Sequence, residues 1–304
     1  MPQSRPANAL RRIVFALTAL FAAGAAQAAT ERFQDLSIEV VGQGRPVLMI
    51  PGLNSGADTW RETCAALQAD KVQCHIVQFP GLAGAPPIKT AAYNDAMRDE
   101  LLAYIEQRKL VRPVVIGHSL GGFVALKMGI AKPQAIDKLV IVDTLGFLGS
   151  LYGPTLTAET IRPMAEGMRA IVLNQPQAHY FRGIAVTAQG MTASDDKVAL
   201  LRRWGEASDR ATTAQALVEM MTTDLRPELD KVKAPTLVLA GWVGGARYGA
   251  TRESTLAMFK QHYAKLDGVR IEMSQDGYHF LMWDDPQWLQ DQVRGFLAEP
   301  KPAG

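Results

Sequence analysis

An α/β fold, with a mainly parallel sheet covered by helices on both faces, is what this 304-residue chain predicts. Three observations carry that expectation. Short runs rich in Val and Ile recur along the chain and are continuously apolar, as strands buried on both faces must be. Longer stretches with helical spacing separate them, and such alternation calls for parallel pairing. The composition, 48% hydrophobic and 20% charged, is that of an ordinary globular protein rather than a disordered, collagen-like or disulfide-scaffold chain.

The elements follow in order. Residues 1–28 carry Arg5, Arg11 and Arg12, no acidic residue, an apolar run from Ile13 to about Ala25, and then Ala26-Gln27-Ala28. A basic start, a short apolar core and an A-x-A end describe a secretory signal peptide. The run is short for a membrane span, which takes roughly 20 apolar residues, although an anchor or amphipathic helix is the alternative reading. The Arg-Arg pair leaves a twin-arginine route open. The expectation is an exported protein, periplasmic or secreted, with no stable membrane span after signal removal. That removal takes away three positive charges and turns the formal net charge of +2 into −1. Nothing in the charge balance points to nucleic acid.

Strands are expected at Ser37–Val41 (weakly), Pro46–Ile50, His75–Phe79, Pro113–Ile116, Lys138–Val142, Thr236–Ala240 and Val269–Met273. Helices are expected at Asp58–Gln68, Asn94–Lys109, Leu120–Ala131, Arg252–Leu266 and Pro286–Leu297. The alternation breaks over residues 144–234, where helical patterns at Ile161–Leu173, Asp195–Glu206 and Thr212–Thr223 replace the Val/Ile runs, with Ser194 placed to cap the second. An insertion that long is no ordinary loop. It reads as a helical cap over the carboxyl edge of a core made of residues 29–143 and 235–299. Met164, Met168, Met191, Met220 and Met221 fall in it, suited either to an adjustable apolar pocket or to the cap's own core.

Export gives Cys64 and Cys74 an oxidising environment. With Cys64 on a helix and Cys74 near the start of the next strand, a disulfide and a pair of buried thiols both fit the spacing.

The most specific signal is Gly117-His118-Ser119-Leu120-Gly121-Gly122, after one strand and at the start of a helix. G-x-S-x-G in that context is a nucleophile elbow. Side chains at 117 and 121 would crowd a turn that exposes the Ser119 hydroxyl, and the following helix aims its positive end at the site.

On these residues the chain resembles the α/β-hydrolase superfamily across nearly all of residues 29–299. The match rests on Ile50-Pro51-Gly52-Leu53-Asn54 after an early strand, the elbow, the cap interval, and Gly277-Tyr278-His279-Phe280 after the last strand. The resemblance implies an eight-stranded, mostly parallel sheet with a helical cap inserted after strand six. It also implies Ser119 as nucleophile, His279 as its base, and the backbone N–H groups of Leu53 and Leu120 as the oxyanion hole.

A serine hydroxyl needs such a base. Of the five histidines, His75 lies in a strand, His262 on a helix flank, His179 in the cap and His118 inside the elbow. Only His279 falls in a loop at the carboxyl end of a late strand. The third member departs from the family pattern. After Thr236–Ala240 the chain reads Gly241-Trp242-Val243-Gly244-Gly245, with Gly244 where the family carries its Asp. Some members place the acid after strand six, which makes Asp143 the candidate; Asp276 and no acid at all are the alternatives. Asp284 and Asp285 are expected to fix the final loop before Pro286. Phe147, Trp242 and Tyr248, with Tyr152, are candidates to line an apolar pocket or to pack cap against core. Arg247 either meets a substrate carboxylate or is solvated.

The motifs H-E-x-x-H, G-x-x-x-x-G-K-[ST] and G-x-G-x-x-G are absent from the sequence, and no metal or organic cofactor is implied. The resemblance therefore implies an exported serine hydrolase acting on a small-molecule ester or related acyl compound. A peptidase or amidase of the same fold is one alternative, and a non-catalytic binding protein with a degraded site is another.

Overall fold

The computed structural model describes Met1 and residues 29–300; the expected leader lies outside the main described stretch. Eight strands form one sheet in the order β1-β2-β4-β3-β5-β6-β7-β8. These are β1 (Ala29–Phe33), β2 (Leu36–Gly42), β3 (Arg45–Ile50), β4 (Val72–Gln78), β5 (Val114–His118), β6 (Lys138–Val142), β7 (Thr236–Ala240) and β8 (Arg270–Met273). Only β2 runs against its neighbours; every pairing from β4 to β8 is parallel.

Strand side chains alternate between faces, so each apolar run feeds two cores. Leu48, Ile50, Val115, Leu139, Ile141 and Val238 enter one cluster with Tyr93, Met97, Leu101 and Phe123. These last lie on α2 (Tyr93–Gln107) and α3 (Leu120–Ala131). Val47, Met49, Val114, Ile116, Val140 and Leu237 enter the other with Trp60, Leu67, Leu289 and Val293. Those helical partners lie on α1 (Asp58–Leu67) and on the last helix, Pro286–Ala298. Burying each such side chain is worth about 1.5–3 kcal/mol, which is why the runs need no polar residue. The structure joins Cys64 to Cys74 in a disulfide with Cα atoms 6.1 Å apart, inside the second cluster.

Between β6 and β7 lie α4 (Arg162–Asn174), α5 (Gln177–Ala188), α6 (Asp195–Ala207) and α7 (Arg210–Thr222). α4 packs on α7 and α5 on α6. Ser194 caps α6 by accepting the Lys197 N–H, and Asp209 caps α7 by accepting the Thr212 N–H. After β7 come α8 (Val243–Ala246), α9 (Arg252–His262), α10 (Leu281–Asp284) and α11, the Pro286–Ala298 helix. Among the described residues no helix is long and apolar enough to cross a membrane.

Candidate active site

Ser119 sits between β5 and α3 with φ 52° and ψ −119°. Asn54, after β3, and Asp143, after β6, also have positive φ, 55° and 46°. Such conformations cost of order 1–3 kcal/mol for a residue with a side chain and persist only where surroundings enforce them. The enforcement is visible. The Ser119 N–H donates to the Val142 carbonyl at 3.0 Å, and the Ser119 carbonyl accepts both the Phe123 N–H and the Thr144 hydroxyl at 2.9 Å. Tyr263 ties down Thr144 in turn, its hydroxyl donating to the Thr144 carbonyl at 2.7 Å. A Cβ at Gly117 would lie 2.4 Å from the Gly121 carbonyl oxygen, and one at Gly121 would lie 2.3 Å from that of Ile50. The bend therefore closes only with glycine at both places.

His279 lies in the loop between β8 and α10. Its Nδ1 is 2.6 Å from Asp143 Oδ2. Asp143 Oδ1 accepts the Gly241 N–H at 2.9 Å, so the carboxylate spans the ends of β6 and β7. Both side chains are largely buried, 15% exposed for Asp143 and 25% for His279. An ionised carboxylate at Nδ1 places the neutral ring's proton there and leaves Nε2 as the basic nitrogen. Ser119 and His279 line the same cavity, although no hydrogen bond joins them in this structure. Catalytic hydrogen bonds in substrate-free sites are often long and tighten when substrate binds.

The family's acid position is occupied differently. Gly244 lines the cavity, and a Cβ there would lie 2.8 Å from the Gly190 carbonyl oxygen. An aspartate would have to displace the backbone between α5 and α6. Asp276 is exposed. Asp285 accepts the Ser274 hydroxyl at 2.7 Å and so fixes the loop after β8, as expected. Asp284 also fixes that loop, as expected, by tying it to the chain between α5 and α6: its Oδ1 accepts the Thr192 hydroxyl and the Ala193 N–H at 2.7 and 2.9 Å. The Phe280 N–H donates to the Met191 carbonyl at 3.1 Å. The His279 loop is thereby bonded to the α5–α6 connection on both sides of Met282.

His118, inside the elbow, faces the His279 loop. Its Nε2 lies 3.0 Å from the His279 carbonyl oxygen, so it is the donor, and its ring packs on those of His279 and Phe280. Burial first, and then the neighbouring His279, hold its pKa well below the ordinary 6.5 and keep it neutral. Nothing in the sequence pattern separated this role from that of any other strand-end histidine.

The cavity measures about 840 Å³ and includes Leu53, Trp242 and Tyr248 in its lining. Leu120 opens α3, so its N–H has no carbonyl one turn back to bond. Phe147 is a correction. It is fully buried in a separate cluster with Ile161, Ala165, Val218 and Met221, under the Arg226 guanidinium, and does not line the cavity. The chain after β6 turns its ring into the packing of α4 against α7. Tyr152 is likewise outside the lining. Of the five methionines, Met191 and Met220 line the cavity, Met168 and Met221 pack in the separate cluster, and Met164 is exposed. Arg247 stacks on the Tyr248 ring at 4.8 Å and lies outside the lining.

Residues 47–292 match the family model of the alpha/beta hydrolases. The chain belongs to the alpha/beta hydrolase family. Among its relatives, a putative carbamate hydrolase, RutD, of Rhizobium rhizogenes is 22% identical over 272 residues, covering 86% of this chain and 97% of the relative. A pimeloyl-[acyl-carrier protein] methyl ester esterase of Aeromonas salmonicida is 23% identical over 267 residues, covering 86% and 99%. The crystal structure of a hydrolase from Pseudomonas aeruginosa superposes with a TM-score of 0.74 at 19% identity, covering 91% of this chain and all of that one.

Proposed function

We propose that this protein is a serine hydrolase that cleaves a carboxylic ester or related acyl compound through an acyl-enzyme. The observation that carries the reading is the Asp143–His279 contact at the cavity that also receives Ser119 from its strained bend. Ser119 Oγ attacks the substrate carbonyl carbon as its proton passes to His279 Nε2. Asp143 holds the ring's tautomer and balances the imidazolium. The oxyanion is received by the Leu53 and Leu120 N–H groups, each such donor being worth roughly 2.7–4 kcal/mol of barrier. Collapse breaks the bond to the leaving alcohol, which takes the proton from His279. Water, deprotonated by the same nitrogen, then attacks the acyl carbon and frees the acid and Ser119.

Export to a periplasmic or extracellular compartment belongs to the same reading. The pattern of residues 1–28 supports it, as does the Cys64–Cys74 disulfide.

The test is labelling of the folded protein with a fluorophosphonate, followed by peptide mapping. An adduct on Ser119, lost on heat denaturation, is expected. A non-catalytic binding role, which the unformed Ser119–His279 hydrogen bond favours, predicts no adduct, and that result would remove the hydrolase reading.

A further inference from the structure

The cavity also bears on what Ser119 acts upon. Resting on the hydrolase reading above, we infer that the substrate is an uncharged ester carrying an apolar group on each side of the scissile carbonyl.

The lining divides between the two cores. Phe123, Leu148, Leu217, Met220, Met258 and Phe259 belong to or pack against one cluster, whereas Ala188, Met191, Leu201 and Phe280 belong to or pack against the other. Ser119 lines the same cavity and follows β5, the strand whose Val115 enters the first cluster and whose Val114 and Ile116 enter the second. An ester held at Ser119 has two arms, acyl and alcohol, and each meets an apolar wall. At about 840 Å³ the space is larger than a methyl or acetyl group needs.

Charge decides the rest. Among the described residues no Lys, Arg or Glu lines the cavity, and the only Asp that does is Asp143, already engaged by His279. Asn54, Thr187, Ser254 and Thr255, which carry no charge, also line it. Asn54 takes the Thr213 hydroxyl on its side-chain carbonyl at 2.6 Å, which leaves its amide N–H groups as uncharged donors. A carboxylate or ammonium drawn into this space would lose its water and meet no counter-charge, an expense that real sites avoid. Arg247, outside the lining, is stacked on Tyr248 and packed against Gly190.

Matched pairs test this. 4-Nitrophenyl hexanoate is compared with the mono-4-nitrophenyl ester of adipic acid, which differs by a terminal carboxylate, and benzyl hexanoate is compared with choline hexanoate. For each pair kcat/KM is expected to favour the neutral ester by about a hundredfold or more. A difference under tenfold in either pair overturns the inference. Leu217→Lys and Leu201→Lys place a cation in one wall or the other. At least a tenfold rise in the adipate-to-hexanoate ratio is expected in one of them, and an unchanged ratio in both, with melting temperatures near that of the parent, counts against the inference. Failure of the hydrolase reading is separable. If Ser119 takes no fluorophosphonate and no ester turns over, calorimetric binding of benzyl hexanoate and of the monobenzyl ester of adipic acid to the Ser119→Ala protein still reads the preference. Equal affinity would sink it.

Discussion

Replacing Asp143 by Asn tests the site at its most exposed joint. The carboxylate accepts on both oxygens, from the Gly241 N–H at 2.9 Å and at His279 Nδ1 at 2.6 Å. An amide has one acceptor. Turned with its NH2 toward Gly241 it would set donor against donor. The favoured orientation therefore keeps oxygen on Gly241 and presents NH2 to the imidazole. Nδ1 must then accept, the ring proton moves to Nε2, and the nitrogen facing the serine hydroxyl loses its lone pair. In Ser-His-Asp triads that tautomer error costs about 10⁴ in kcat, or about 5 kcal/mol of barrier. The assay is steady-state hydrolysis of 4-nitrophenyl hexanoate, alongside the rate of fluorophosphonate labelling, on protein whose melting temperature matches the parent within a few degrees. Both rates should fall by three to four orders of magnitude (about 10³–10⁴). A loss of less than tenfold would refute the assignment of Asp143 and return attention to Asp276 or to a two-residue mechanism.

Two stability predictions stand apart from the chemistry. Changing Cys64 and Cys74 together to Ala opens a loop of ten residues, and loop entropy puts the cost at about 2.7 kcal/mol; urea unfolding measures it, and a loss under 1 kcal/mol would mean the bridge is not formed. His75 hydrogen-bonds the Tyr104 hydroxyl at 2.8 Å, and burial lowers its pKa from 6.5 to about 4. Its contribution is therefore complete above pH 6.5, declines as the pH falls, and is gone below about 4, a swing on the order of 3 kcal/mol. Urea unfolding at pH 7.5 and 4.5 should show a smaller acid-side loss in His75→Gln than in the parent, and equal losses would contradict the burial argument.

The sheet was legible because a central strand must be apolar on both faces. Pro46–Ile50, Lys138–Val142 and Thr236–Ala240 announce themselves as strands by that necessity. β1 does not, because an edge strand is held by backbone pairing and its residues Ala29, Thr30 and Arg32 stay in water. α5 was missed for a related reason. Only Tyr180 and Ala188 are buried along it, so it shows no clean stripe, and Gly183 interrupts it. The helix expected over Arg252–Leu266 ends one turn earlier, because the chain leaves helical geometry at Tyr263, whose ring is fully buried. At the site, the candidates Ser119, His279 and Asp143 can be named from motif and order, but the residues that hold them cannot. Thr144, Gly241 and Tyr263 act through hydrogen bonds between segments far apart in the chain. Phe147 shows the opposite error: nearness in sequence to a strand's carboxyl end says nothing of which way the chain turns next.

The bonds from Phe280 and Asp284 to Met191, Thr192 and Ala193 carry a lesson for anyone recombining this scaffold. The segment between β6 and β7 is stitched to the rest of the chain at the His279 loop. A graft that exchanges the helices between β6 and β7 for those of a cousin must bring residues equivalent to 191–193 with it. Otherwise His279 is left hanging from an unfastened hem, and a chimera could fold well yet be idle.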